Sequence, residues 1–268
     1  MIRRIAWVAA LLVSFWTAPA AQAYVPPSAF IVKSVAQKHA GVKGVRIKTQ
    51  VKALEDGKPV EGATFKTVTS YDPQRHLLRC WAYGAQNQVL FAVERTRNEF
   101  PPVIQLLLQH DVAELTKTLI GSGIPIKQEE ELLALPDEEQ RRAAEVTSLK
   151  RWQGTVAWVI GNSSNAQLWV EKGSFLPLRF FSGDFEAQFA NYRHFRGFPF
   201  PKTLKGGEPG AEPSIQEELL DHTVGPVTDD LKGKFPSGLS GEMGMTEAGR
   251  DAPSALRRLL ENYFKHLR

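Results

Sequence analysis

One stretch near the middle of the chain limits the fold more than any other. It runs Gln167-Leu168-Trp169-Val170-Glu171-Lys172-Gly173-Ser174-Phe175-Leu176-Pro177-Leu178-Arg179, then from Phe185 to Arg193, then Gly197-Phe198-Pro199-Phe200-Pro201. Apolar residues alternate with polar ones, and the breaks carry Gly, Ser and Pro. Period-two patterning with such breaks predicts strand, turn, strand, turn, strand, and therefore antiparallel pairing.

The same period appears earlier. Val45, Ile47, Thr49, Val51 and Ala53 alternate with Arg46, Lys48, Gln50 and Lys52, so one face meets a core and the other meets water. Asp56-Gly57 and Asp72-Pro73 are turn signals. Further strands are expected over Ala63–Ser70, His76–Tyr83 and Val89–Arg95, which completes a meander. More strands follow over Thr155–Ile160 and Ile215–Val224.

Helical periodicity interrupts this pattern three times. Residues 28–40 place Phe30, Ile31 and Val35 on one face, with Ser28 as the expected N-cap. A single helix is expected over 102–120, carrying Val103, Leu106, Leu107, Val112, Leu115 and Leu119 and ended by Gly121 and Gly123. Residues 253–268 form a short amphipathic helix. Leu256, Leu260, Tyr263 and Leu267 share its apolar face, and Arg257, Arg258, Lys265 and Arg268 lie around it. The charged run 127–145 reads as an exposed face broken at Pro136. Residues 232–253 read as a linker rich in breaks.

The fold class expected is α+β, mainly β: a curved antiparallel sheet whose concave face is covered by helices. The domain division expected is a signal peptide over 1–23, a β domain over 24–236, and a linker with an amphipathic helix over 237–268. Arg3 and Arg4, the mostly apolar run Ile5–Trp16 and Ala21-Gln22-Ala23 are the three parts of a cleavable leader. Cleavage after Ala23 and a periplasmic address follow. Two of the 33 basic side chains lie in that leader, which leaves 31 against 29 acidic ones. A mature chain so near neutrality, without an Arg-rich tract, is not built for nucleic acid. The single cysteine, Cys80, excludes an intramolecular disulfide and reads as a small buried residue.

Chemistry is hard to find. The six histidines make no H-x-x-x-H pattern. His76 and Cys80 are too far apart along a strand to chelate one metal ion. Gly121-Ser122-Gly123 lacks the frame of a nucleophile elbow, and Ser163-Ser164 fall in a turn. No phosphate loop appears, and Asp184 and Glu186 read as surface acids. No catalytic residue, metal site or cofactor is assigned, and the chain is expected not to be an enzyme.

Large apolar side chains on the strands are the better lead. Trp81, Phe91, Trp158, Trp169, Phe180 and Phe189, with Leu107 from the helix, are the candidate lining of a hydrophobic cavity. Core packing is the plainer alternative for each. A concave face filled only in part by its helices binds acyl chains by burial.

Several short motifs carry a family resemblance. Trp169-Val170-Glu171-Lys172 with Leu176-Pro177-Leu178-Arg179 resembles the strand hairpin of the bacterial lipoprotein-carrier superfamily, the LolA/LolB-like proteins. Asn191-Tyr192-Arg193 with Gly197-Phe198-Pro199 resembles its later strand end, and Val227–Leu231 with Phe235-Pro236 is similar to its closing segment. The resemblance spans residues 26–236. It implies a half-open β-barrel with helices as a lid, and a cavity for lipoprotein acyl chains or related lipids. It further implies an arginine on the second strand holding the lid. Here Thr67-Val68-Thr69-Ser70 has none, and Lys66 and Arg79 are the nearest cations.

The expected function is that of a periplasmic carrier for a hydrophobic ligand or lipoprotein acyl chains, with helix 102–120 moving as the lid. The alternative is an envelope interaction or sensor module with a filled core, docking another envelope protein through its sheet edge and its last helix.

Overall fold

A computed structural model describes residues 25–127, 129–137, 146–162, 166–225 and 244–268. The leader over 1–23 with its cleavage site, Ser163-Ser164, most of the acidic and basic run after Asp137, the motif segment 227–236 and the boundary at 236 lie outside these residues.

Helix α1 (Ser28–Gln37) precedes a meander of β1 (Val45–Glu55), β2 (Lys58–Asp72), β3 (Leu77–Tyr83) and β4 (Val89–Thr96). Helices α2 (Pro102–Leu108), α3 (Val112–Gly121) and α4 (Glu129–Leu133) follow. The second run of strands is β5 (Thr147–Trp152), β6 (Thr155–Ile160), β7 (Gln167–Glu171), β8 (Pro177–Ser182), β9 (Phe185–Phe195), β10 (Phe198–Gly207) and β11 (Ile215–Val224). A two-residue strand β12 (Gly244–Met245), the short helix α5 (Glu247–Arg250) and α6 (Ser254–His266) complete the described chain.

All twelve strands form one sheet, in the order β12-β4-β3-β2-β1-β11-β10-β9-β8-β7-β6-β5. Every pairing is antiparallel, and the sheet is open. The two meanders are sewn together where β1 pairs β11, with Val51 opposite Glu217. This is the mainly-β α+β architecture that the alternation predicts.

The hairpins follow from turn chemistry. Asp56-Gly57, Gln153-Gly154 and Arg196-Gly197 all have positive φ at both residues, the geometry that a two-residue hairpin loop needs to match strand twist. Two strands escape the periodicity, the two-residue β12 inside the expected linker and the longer β5. β5 is exposed or half-exposed along its whole length, so it has no apolar alternation to reveal it, although the Gln153-Gly154 turn marks the hairpin it belongs to. The stretch 167–207 holds four strands instead of three, because the Lys172–Leu176 turn splits its first segment.

The expected single helix over 102–120 is two. Gln109 is extended, with φ −77° and ψ 125°, and Asp111 starts α3 by accepting from the amides of Ala113 and Glu114. Ser28 is also reassigned. It lies inside the first turn of α1, where the cap position is Pro27. The buried Ser28 hydroxyl instead accepts from the Lys127 amide at 2.9 Å, tying α1 to the segment after α3.

The concave face holds one continuous apolar core. Strands contribute Ile47, Phe65, Leu78, Val93, Trp158 and Phe200 among others, and helices contribute Ile31, Leu107, Leu115 and Leu260. A small second cluster of Ala157, Val159 and Trp169 lies apart from it, backed by Trp152 and Leu178.

Candidate functional site

Two groups of helices cover the concave face. Helices α1, α2 and α3 pack on one another, and α2 touches β8. His39, just past α1, lies 5.4 Å from Phe198 on β10. Its imidazole is pushed down to about 3, chiefly by burial, so it is a neutral core residue.

The other half of the concavity belongs to α6, which packs on β1 and β2. Leu256, Leu259, Leu260, Tyr263 and Phe264 are its buried residues, at the i, i+3, i+4, i+7, i+8 spacing of an amphipathic helix. Phe264 stacks on Phe91 at 4.0 Å, and Tyr263 meets Phe65 edge-on at 5.3 Å. Arg95 on β4 donates to the Phe264 carbonyl at 2.9 Å, satisfying one of the acceptors left at a helix C-terminus.

Beneath the end of α6 runs a buried polar track. Glu217 on β11, Thr49 on β1, Thr67 and Thr69 on β2 and Cys80 on β3 are all inward positions. Thr49 and Thr67 share a hydrogen bond at 2.7 Å, and Thr69 and Cys80 another at 3.2 Å. Arg268, fully buried, closes the track. Its Nη2 donates to Glu217 Oε1, its Nε donates to Thr69 Oγ1 at 3.2 Å, and its Nη1 donates to the Leu267 carbonyl at 2.8 Å. Tyr263 also donates to Glu217 Oε1, at 3.0 Å.

Electrostatics follow from this burial. Desolvation alone lowers the Arg268 pKa, but the Glu217 carboxylate, with Tyr263 and Cys80, turns the net shift upward. Burial pushes the Cys80 thiol up to about 12 against the pull of Arg268. A thiol so held is not a nucleophile.

The expected lining residues divide into two sets. Phe91, Leu107, Trp158, Phe180 and Phe189 all belong to the main core. Trp81 sits between the inward Cys80 and Ala82, so strand alternation sends it to the opposite face. Trp169 belongs to the separate outer cluster. There its ring lies 5.7 Å from Trp152, with the Arg179 guanidinium 5.0 Å from the Trp152 ring and bonded to Glu186. Within the core, the Trp158 indole N–H has no hydrogen-bond partner among the described residues.

Two grooves flank α6 where it crosses the strand ends. One, of about 270 Å³, is lined by Asp184, Phe185, Ile215, Asn262, Lys265 and His266 among others. The second, of about 320 Å³, is lined by Ala53, Leu54, Val60, Ile215, Arg258 and Leu259 among others. They share Ser214, Ile215 and Asn262. None of the seven expected lining residues borders either one.

The helical period held a signal for Arg268 that its charge obscured. It falls four residues after Phe264 and eight after Leu260, on the buried stripe rather than around it. Its Nε thereby reaches Thr69 on β2. Lys66 is exposed, and Arg79 is paired with Glu94 at 2.6 Å.

No protein-family model matches the chain, and no curated protein matches it in sequence. Solved structures resemble it at low identity. A LolA superfamily protein from Nitrosomonas europaea is 8% identical, with 78% of this chain and 98% of that one covered, at a TM-score of 0.47. A putative outer membrane lipoprotein-sorting protein domain from Vibrio parahaemolyticus is 13% identical over 76% of this chain and 95% of its own, at 0.38. A DUF1329 family protein from Desulfovibrio piger is 11% identical over 80% and 93%, at 0.37.

Proposed function

We propose that this chain is a cell-envelope binding protein that holds a hydrophobic ligand, the acyl part of a lipoprotein or lipid, on the concave face of its sheet and performs no reaction on it. Delivery to the periplasm by a leader ending at Ala23 belongs to the same reading.

The observation that carries it is the pair of grooves beside α6. Both are bordered by Ile215, a core residue 2% exposed, so on either side of that helix a groove ends against the edge of the apolar interior. Each groove is at or below the small end of the range for small-molecule pockets, roughly 300–1,000 Å³. A short apolar segment fits either one, and a full acyl chain needs the space that α6 occupies. The unpartnered Trp158 N–H supports the reading from the other half of the core, because a buried donor is satisfied by an acceptor such as an ester carbonyl.

A second reading is an envelope interaction module with a filled interior. The observation that favours it is the close packing of α6 on the floor, with Phe264 stacked on Phe91. The two readings separate in one experiment. Native mass spectrometry of gently purified protein, followed by titration with a fluorescent fatty acid, is expected to show bound lipid or saturable uptake. Protein that is always empty and takes up none of the fatty acid is the interaction module.

A further inference from the structure

Helix α6 stands apart from the rest of the core cover in how it is held. Removing it breaks no strand pairing, because β4, β3, β2, β1 and β11 are laddered to one another without it. The described residues that precede it are fixed separately. Gly244 and Met245 pair with Ala92 and Phe91, and Thr246 donates to the Val89 carbonyl at 2.6 Å. An anchor at the β4 edge would therefore stay in place if α6 lifted.

Its own attachments are an apolar stripe, the Arg95 bond to the Phe264 carbonyl, and a buried polar group in which Glu217 accepts from Arg268 and Tyr263. The stripe binds by burial, which is non-directional, so any apolar chain of similar area can replace it. The ion pair is different. Arg268 and Glu217 are 0% and 2% exposed, and each compensates for the other's lost hydration. A buried pair of this type adds little net stability, yet losing one member leaves a costly unpaired charge. In this fold the cost is avoided if α6 lifts, because both groups then return to water. The grooves on both sides of α6 end beside Ile215 and give a ligand a first foothold at the edge of the core before the helix moves.

We propose that α6 is a displaceable cover over the β1–β4 and β11 floor, latched by the Arg268–Glu217 pair, and that it lifts as a unit to admit a ligand. The inference rests on the acyl-binding reading for its ligand, and on this chain's own geometry for the latch. It moves the lid from helix 102–120 to α6. The latch also selects what enters. A purely apolar chain leaves Glu217 without a partner, so an amphiphile that brings a hydrogen-bond donor to the depth of Thr69 is held better than one that does not.

The test uses the full chain and three variants: Arg268→Ala, Glu217→Gln and the double replacement Arg268→Met with Glu217→Leu. Hydrogen exchange is read over α6 and over β1 and β2, and uptake is read with cis-parinaric acid. Each single variant is expected to exchange α6 amides at least tenfold faster while β1 and β2 keep their protection within about twofold, and to bind the fatty acid several-fold tighter. The double variant restores slow α6 exchange, since apolar partners replace the pair. If α6 exchanges only together with β1 and β2, or if the single variants leave α6 exchange unchanged, the latch is overturned. Faster α6 exchange with no fatty-acid uptake in any variant upholds the latch and overturns acyl binding.

Discussion

The Phe264 ring lies flat against Phe91, with 4.0 Å between centroids and 15° between planes. One ring comes from the last helix and the other from a strand that β3, β2 and β1 separate from the β1–β11 seam. The pair therefore fastens the cover to the edge of the floor. Replacing Phe264 with Ala removes the stack and leaves a cavity, at a cost of about 3 kcal/mol. The expected result is a lower urea midpoint with an unchanged slope. A midpoint equal to the parent's would show that α6 contributes nothing to the stability of the sheet.

Trp158 is the residue where plain packing and the proposed ligand binding predict different outcomes. Its indole N–H is buried without a partner among the described residues, at a penalty of roughly 1–3 kcal/mol. Trp158→Phe removes that orphan donor and opens a small void, so the two effects offset to within about 1 kcal/mol. Thermal unfolding should barely move, while fatty-acid affinity falls. Equal affinity for both proteins would make Trp158 a plain core residue.

Asp111 gives the fold an acid-sensitive joint. Partial burial acts to raise its pKa, but the amides of Glu114 and Ala113 and the Arg97 guanidinium outweigh it and hold the carboxyl below the usual range. A depressed carboxylate contributes stability above its unfolded pKa and loses it as pH falls through the folded one. The contribution is thus present at neutral pH and fades below about pH 4. Asp111→Asn keeps a capping side chain but loses the ion pair to Arg97. Its urea midpoint is expected below the parent's at pH 7, with the gap narrowing as pH falls through the acid range; a gap independent of pH would mean that the Asp111 charge is not what matters.

Gly249 is fixed by contact rather than by conformation. A β-carbon placed there would lie 2.1 Å from the Leu90 carbonyl oxygen, in the anchor that precedes α6. Gly249→Ala should push α5 off β4 and cost about 1–3 kcal/mol, as overpacked sites do. Hydrogen exchange should rise at Thr246, whose amide donates to Leu90.

Cys80 reports on the cover from beneath. It is fully buried, with its thiol pushed up to about 12. Labelling by an aromatic disulfide reagent at pH 8 should be very slow in the parent and at least tenfold faster in Arg268→Ala. Equal rates would mean that the floor stays covered without the latch.

Much of this molecule was legible because its strands alternate. Val45 to Ala53 and Phe185 to Arg193 announce an inner and an outer face, and the Gly-containing turns place the hairpins. What escaped did so for identifiable reasons. β5 is an edge strand with little to bury, so Thr147–Trp152 shows no alternation. The break between α2 and α3 lies in Gln109 and the Asp111 cap, weak signals inside a strong helical period. Trp81 and Trp169 were misleading because size suggests lining, whereas parity along the strand decides which face a side chain joins. Arg268 was hidden by its charge, since a fully buried arginine is expected only where a partner waits. That partner, Glu217, lies in a strand whose neighbours no local pattern reveals.

The β1–β11 seam has a consequence for how the molecule comes into being. Val51 and Glu217 face each other although they are roughly 170 residues apart in sequence, and contacts of such separation form late because the loop must close first. Each meander can zip up locally as soon as its own strands are present. The floor that carries Thr49, Thr67 and Glu217 does not exist until the two are joined. A chain assembled in this order has no complete interior, and so no face for α6 to cover, until nearly all of it is in place.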